Sequence, residues 1–174
     1  RRAAGRPARS DALTHARHAS RTHRRSNRRG THQQGRPPCR TGVGASVEAV
    51  RIITDQSRPA FPAGRSVVTI GAYDGVHLGH RAVIDHVRRL AAERGCHSAL
   101  VTFDTHPATV VRPESAPRLL TDGEQKMELL EATGLDAVVV IHFDIDQAHE
   151  SPESFVQRVL IDCLRASVVV IGED

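Results

Sequence analysis

The chain has 174 residues, 39% of them hydrophobic, which suits one packed domain plus an extension and excludes a large multidomain assembly. Its charge is divided: residues 1–46 hold 12 Arg against one acid, Asp11, a formal +11, while the remainder holds 12 basic and 19 acidic groups, a formal −7. No stretch reaches the roughly 18 consecutive apolar residues of a membrane span, the basic start leads into no apolar signal segment, and Cys39, Cys96 and Cys163 form no CxxC pair. These features speak against a membrane protein, an exported disulfide scaffold and a zinc finger, and a reduced cytoplasmic setting fits best.

Residues 1–46 are Arg, His, Ser, Thr, Gly and Pro with scarcely a large aliphatic side chain, so this stretch is expected to be a disordered basic tail. Phosphate neutralisation on a nucleic acid is its functional alternative. With no interleaved aromatics, a plain unstructured extension is the preferred reading, and nucleic acid is not expected as a partner. Arg outnumbers Lys 23 to 1, which reads as a coding bias, since no binding surface excludes Lys so completely. The sole methionine is Met127, and the chain reads as a fragment.

From residue 47 to 174 the apolar residues become dense and periodic. Glu48–Thr54 is a candidate edge strand. Ser66–Tyr73 (SVVTIGAY) is β-branched and apolar up to a glycine, as in a strand buried on both faces. Leu78–Arg94 carries Val83, Ile84, Val87, Leu90 and Ala91 at helical spacing, with Gly95 as a stop. Ser98–Phe103 is a second buried strand. Thr121 followed by Glu124 signals a capping box opening a helix through Met127, Leu129 and Leu130. Asp136–Phe143 is a third strand. Ser151-Pro152 opens a helix with Phe155, Val156, Val159, Leu160 and Leu164 on its inner stripe, and Ser167–Ile171 is a fourth strand. Alternating strands and helices imply right-handed crossovers and a doubly wound, Rossmann-like α/β fold with a parallel sheet. Ligands bind such sheets beyond the carboxyl ends of the strands.

At the end of the first long strand stands Gly71-Ala72-Tyr73-Asp74-Gly75-Val76-His77-Leu78-Gly79-His80. Glycines there let the backbone approach a ligand, and the helix opening near His77 turns unpaired N–H groups toward the same space, which favours an anion. His77 and His80, three apart, share a face of the first turn. Two imidazoles at a helix N-terminus suit phosphate chemistry, where preorganised donors stabilise charge growing on a phosphoryl group. No Ser-His-Asp order or reactive cysteine context argues for a side-chain nucleophile.

His77-Leu78-Gly79-His80 is the HxGH signature of the nucleotidyltransferase superfamily. With GxxDGVHLGH, FDxHP at Phe103–Pro107, Leu-Leu-Thr at Leu119–Thr121, the helix holding Lys126, and Ser-Pro-Glu-Ser-Phe at Ser151–Phe155, the chain resembles the FMN adenylyltransferase module of bacterial bifunctional riboflavin kinase/FAD synthetases over about residues 47–174. The resemblance implies ATP and FMN as substrates with Mg2+ between the phosphates, and His77 and His80 as the catalytic pair. It implies nucleotide binding at Gly71, Asp74, Gly75 and Gly79, and flavin contacts at Asp104, His106, Pro107 and Asp174. It also implies that a later phosphate-binding Ser-Ser-Thr-Arg segment and a riboflavin kinase domain are missing, so that the nucleotidyltransferase fold is truncated at its C-terminus. Ala72, Tyr73 and Thr105 depart from the family pattern.

Two other readings stand beside this one: the same fold acting on another small phosphorylated acceptor, or a non-catalytic fragment led by a nucleic-acid-binding tail. Lys126 reads as an ordinary solvated helix residue. Asp104 and His106 have a bland alternative as turn caps. His86, His97, His142 and His149 match no motif and show no metal spacing. Asp144 and Asp146 are loop acids of a common kind and are not assigned to a metal.

Overall fold

The computed structural model describes residues 49–172. The expected basic tail at 1–46, with Cys39, and the flavin candidate Asp174 lie outside the described residues. Five parallel strands form one sheet: β1 (Arg51–Ile53), β2 (Ser66–Ile70), β3 (His97–Phe103), β4 (Ala137–Ile141) and β5 (Ala166–Val170), in the order β1-β4-β3-β2-β5. Among the described residues the α-helices are α1 (Leu78–Arg94), α2 (Pro107–Val111), α3 (Gly123–Glu131), α4 (Ile145–Ala148) and α5 (Pro152–Phe155), the last running on as a π-helical stretch over Val156–Cys163.

Period-two alternation within the strands divides the core in two. Val67, Leu100 and Val138 face α1 and α3, meeting Ile84, Val87, Ala91 and Leu130. Their neighbours Val68, Ala99, Val101, Ala137 and Val139 face the opposite side, meeting Val159, Leu160, Cys163 and Leu164. Because β2 and β3 are fully covered, they read in sequence as continuous apolar runs rather than alternating ones. Burying each such Leu or Val contributes about 1.5–3 kcal/mol before chain entropy is counted. The sheet is thus doubly wound as expected. From β2 the chain steps through β3 to β4 in one direction, then returns to lay β5 on the other side of β2. The reversal places the topological switch point at the carboxyl ends of β2 and β5, where open α/β sheets form ligand crevices.

Two expectations are corrected. The third helix is capped one residue later than the Thr121–Glu124 spacing suggests: Asp122 accepts from Gln125 N–H at 2.8 Å, and the Gln125 side chain accepts from Asp122 N–H at 3.2 Å. Thr121 is drawn away into the site described below. In the last helix Val156 is exposed rather than inward-facing. Leu164 N–H reaches back five residues to Val159 O, and the widened turn brings the pairs Val159/Leu160 and Cys163/Leu164 to the sheet while rotating Val156 out.

Candidate active site

The segment between β2 and α1 is a strained turn held from several sides. Tyr73, Gly75 and Val76 all have positive φ, at 51°, 67° and 37°, and outside glycine such conformations cost on the order of 1–3 kcal/mol each. What holds Tyr73 is burial of its ring and a 2.6 Å hydrogen bond between its hydroxyl and that of Thr69. Val76 is buried in the core and its carbonyl accepts from Arg81 Nε at 3.1 Å. Gly71 N–H donates to Val101 O, and Thr102 Oγ1 donates to Ala72 O, stitching the turn to β3. The hydroxyl of Tyr73, one of the departures from the family pattern, is thus satisfied by Thr69.

Asp74 stands at the centre of this fastening. Its carboxylate accepts from Leu120 N–H at 2.7 Å, from Thr121 N–H at 3.0 Å and from the Thr121 hydroxyl at 2.9 Å, and Gly75 N–H donates to Thr121 Oγ1 at 3.1 Å. Burial works to raise the Asp74 pKa, but these hydrogen bonds outweigh it and hold the group below its ordinary range. Two of the four nucleotide-side candidates, Asp74 and Gly75, thus face the Leu120–Thr121 loop. A Cβ on Gly75 would lie 2.9 Å from Cδ1 of the exposed Leu120 side chain, which would have to shift, and the positive φ favours glycine there.

The turn delivers His77 as the N-cap of α1, where its Nδ1 accepts from His80 N–H at 3.4 Å. An imidazole that accepts at Nδ1 carries its proton at Nε2, so His77 offers an N–H donor at its outer edge. The rings of His77 and His80 stack with centroids 3.6 Å apart, and His80 lies 4.7 Å from the Tyr73 ring. Gly79 makes this possible: a Cβ there would stand 3.2 Å from His77 Cε1. Two imidazoles and the N-terminus of a 17-residue helix therefore converge at the end of β2, an arrangement able to hold a polyphosphate and stabilise added charge on it.

Beside it, the end of β3 carries the FDxHP turn. His106 caps α2, its Nδ1 accepting from Ala108 N–H at 3.1 Å, and Pro107 takes the first helical position. Asp104 accepts from Thr105 N–H at 2.5 Å, Phe143 N–H at 2.9 Å and His142 Nδ1 at 2.5 Å. Burial pushes its pKa up, and these contacts bring it below the ordinary carboxylate range. In this structure both residues do what the bland reading allowed, tying turns and strand ends together at the mouth of the sheet.

Lys126 is a correction. Rather than solvated, it is buried, and its ammonium donates to Ala72 O at 3.2 Å and Phe103 O at 2.6 Å, bridging the exits of β2 and β3. Burial lowers its pKa, while Asp74 and Asp104 act in the opposite sense. A sequence signal for it exists: in a chain with 23 Arg, this is the one Lys. A compact ammonium fits between two carbonyls where a planar guanidinium does not. His142, also unassigned by motif, is the partner of Asp104. Farther along the mouth, Thr54, Gln56, Ile141, His142, Asp144, Asp146, Gln147, Glu150 and Arg158 line an open cavity of about 440 Å³.

Residues 62–174 match the FAD synthetase family. The chain belongs to that family. Among its curated relatives are bifunctional riboflavin kinase/FMN adenylyltransferases. That of Listeria monocytogenes is 37% identical over 109 residues, covering 62% of this chain and 34% of the relative. That of Bacillus subtilis is 36% identical over 111 residues, covering 63% and 35%, and that of Escherichia coli K12 is 30% identical over 113 residues, covering 65% and 36%. The chain spans about a third of the length of these relatives. A solved structure from Streptococcus pneumoniae, described as a macrolide-efflux protein, superposes with a TM-score of 0.57 at 19% identity over 71% of this chain and 47% of that one, which shows a shared fold. The FAD synthetase match includes every candidate from Gly71 to Pro107. Among the described residues no helix is long and apolar enough to cross a membrane.

Proposed function

We propose that this chain transfers the adenylyl group of ATP to FMN. A phosphate oxygen of FMN attacks the α-phosphorus, the new P–O bond forms as the bond to the β-phosphate oxygen breaks, and FAD and pyrophosphate leave. The observation that carries the reading is the stacked His77–His80 pair at the N-terminus of α1 and the carboxyl end of β2, within the stretch matched to the FAD synthetase family. In this role the Nε2–H of His77 and the helix N–H groups receive the ATP phosphates, and both rings oppose the charge that grows on the phosphoryl oxygens. Gly71 and Gly79 keep the backbone close to the nucleotide. Asp74 shapes the turn through Leu120 and Thr121, and Asp104, His106 and Pro107 form the acceptor side.

Mg2+ would be held through the ATP phosphates and would neutralise part of their charge. Phosphorylation of riboflavin, the other activity in the relatives' names, is the reaction class that supplies the acceptor. A cytoplasmic setting, in which cysteines stay reduced, is part of this reading.

The test is FAD formation by the protein in its full natural length, supplied with ATP, Mg2+ and FMN, against the same assay with other phosphorylated acceptors. FMN is expected to be the preferred acceptor, and His77→Ala to lower kcat by about 10²–10³, the usual cost of one donor to a charged transition state. Equal use of phosphopantetheine or glycerol phosphate overturns the acceptor assignment, and undiminished turnover in His77→Ala overturns the site.

A further inference from the structure

The exits of β3 and β4 are joined through a histidine that belongs to no motif. Asp104, at the end of β3, receives Phe143 N–H and His142 Nδ1, both from the segment that follows β4. We propose that His142 is a positioning residue for the acceptor side of the cleft: hydrogen-bonded to Asp104, it holds the Asp104–Pro107 turn in the geometry that receives FMN. This rests on the adenylyltransferase reading above.

Exposure argues for such a role over a packing one. The His142 side chain is 76% exposed, so its removal opens no cavity in the core, yet it supplies the contact to Asp104 Oδ2. Its other nitrogen, Nε2, lies 3.8 Å from Asp144 Oδ2. Asp144 in turn caps α4 by accepting from Gln147 N–H at 2.8 Å. The imidazole therefore stands between carboxylates of two elements, the β3 exit and the start of α4. The other charged groups of the same cavity are Asp146 and the pair Glu150–Arg158, whose charges meet each other at 2.7 Å. Behind Asp104 lies Lys126. The hydrogen bond to Asp104, the Asp104 charge and, more weakly, Asp144 raise the His142 pKa above its ordinary value. A raised folded pKa means that the charge assistance of this tie is complete below the ordinary histidine value and is lost as pH rises through the raised one, leaving the weaker Nδ1–H bond of a neutral ring.

The experiment is steady-state kinetics in both substrates across this pH range, on the full-length protein. His142→Ala is expected to raise KM for FMN about tenfold, the size of one charge-assisted hydrogen bond, with KM for ATP and kcat unchanged. His142→Asn, whose amide nitrogen can occupy the place of Nδ1, is expected to restore KM while removing its rise at alkaline pH. An unchanged KM for FMN in His142→Ala, or equal rises for FMN and ATP, overturns the proposal. Should the wild type form no FAD, the adenylyltransferase reading fails by itself, and the tie is decided by NMR. The Phe143 amide signal should follow the His142 titration, and the His142 pKa should fall in Asp104→Asn. Indifference of both to these changes overturns the assignment.

Discussion

Gly79 and Lys126 show how single residues shape this site. The ring of His77 occupies the space that a side chain at position 79 would need. Gly79→Ala is therefore expected to displace the His77 ring and lower turnover by at least about tenfold, while an exposed helical position favours alanine over glycine for stability by about 1 kcal/mol. Kinetics and thermal unfolding on the same variant check this opposition; a variant that is more stable and fully active contradicts it. Lys126 carries the reverse signature. Lys126→Met would take its donor from the carbonyl of Phe103, while Ala72 O keeps the hydrogen bond from Thr102, a loss of about 1–3 kcal/mol. Denaturant unfolding should show it, and a wild-type midpoint would remove Lys126 from its bridging role. The HxGH histidines were legible because motif, strand and helix agreed at one place. Lys126 was not, because helical periodicity says which face a residue is on, not that two strand exits behind that face present bare carbonyls.

Among the elements, the turn from Tyr73 to Val76 and the short helices after β4 are held by polar fastenings rather than by core. Position 75 combines φ of 67° with contact to Leu120, so Gly75→Ala should destabilise by about 1–3 kcal/mol and loosen the Leu120–Thr121 loop from Asp74; an unchanged unfolding midpoint counts against this. On the other side, Glu150 accepts from Arg158, Ser154 and Gln147. Arg158 first, with Ser154 and Gln147, outweighs burial, which acts upward, and leaves its pKa at about 2, below the ordinary 4.5. A depressed folded pKa contributes stability that is complete above the ordinary value and lost as pH falls through the folded one. The difference in Tm between wild type and Glu150→Gln should therefore shrink to nothing as pH falls from about 4.5 to about 2, and a pH-independent difference contradicts the network. Little of this was legible in sequence. Capping at Asp122 rather than Thr121 depends on Asp74 drawing Thr121 away, a contact across 47 positions. The π-helical stretch likewise follows from packing both Val159/Leu160 and Cys163/Leu164 on the sheet, which a 3.6-residue period does not anticipate.

At the scale of the molecule, the strand order decides where chemistry can occur. Apolar runs and intervening helices were enough to read a doubly wound parallel sheet, because strands covered on both faces leave that pattern. The order β1-β4-β3-β2-β5 then sets the exit of β2 at the switch point, beside the β3 exit that carries the FDxHP turn. The nucleotide and acceptor sides of the proposed reaction are thereby neighbours through Lys126, Asp74 and Asp104. His77 caps α1 and His80 lies against the Tyr73 ring, both outside the apolar clusters, so the double variant His77→Ala/His80→Ala should lose about 0.5–2 kcal/mol of stability, the size of one N-cap, while losing turnover. A large stability loss would mean that the pair is architectural. The most direct measurement of the central claim is a histidine-resolved NMR titration of the full-length protein with ATP and Mg2+. Saturable shifts are expected in the imidazole signals of His77 and His80, with those of His86 and His149 unmoved; rings at positions 77 and 80 that ignore saturating nucleotide would mean that the phosphates bind elsewhere.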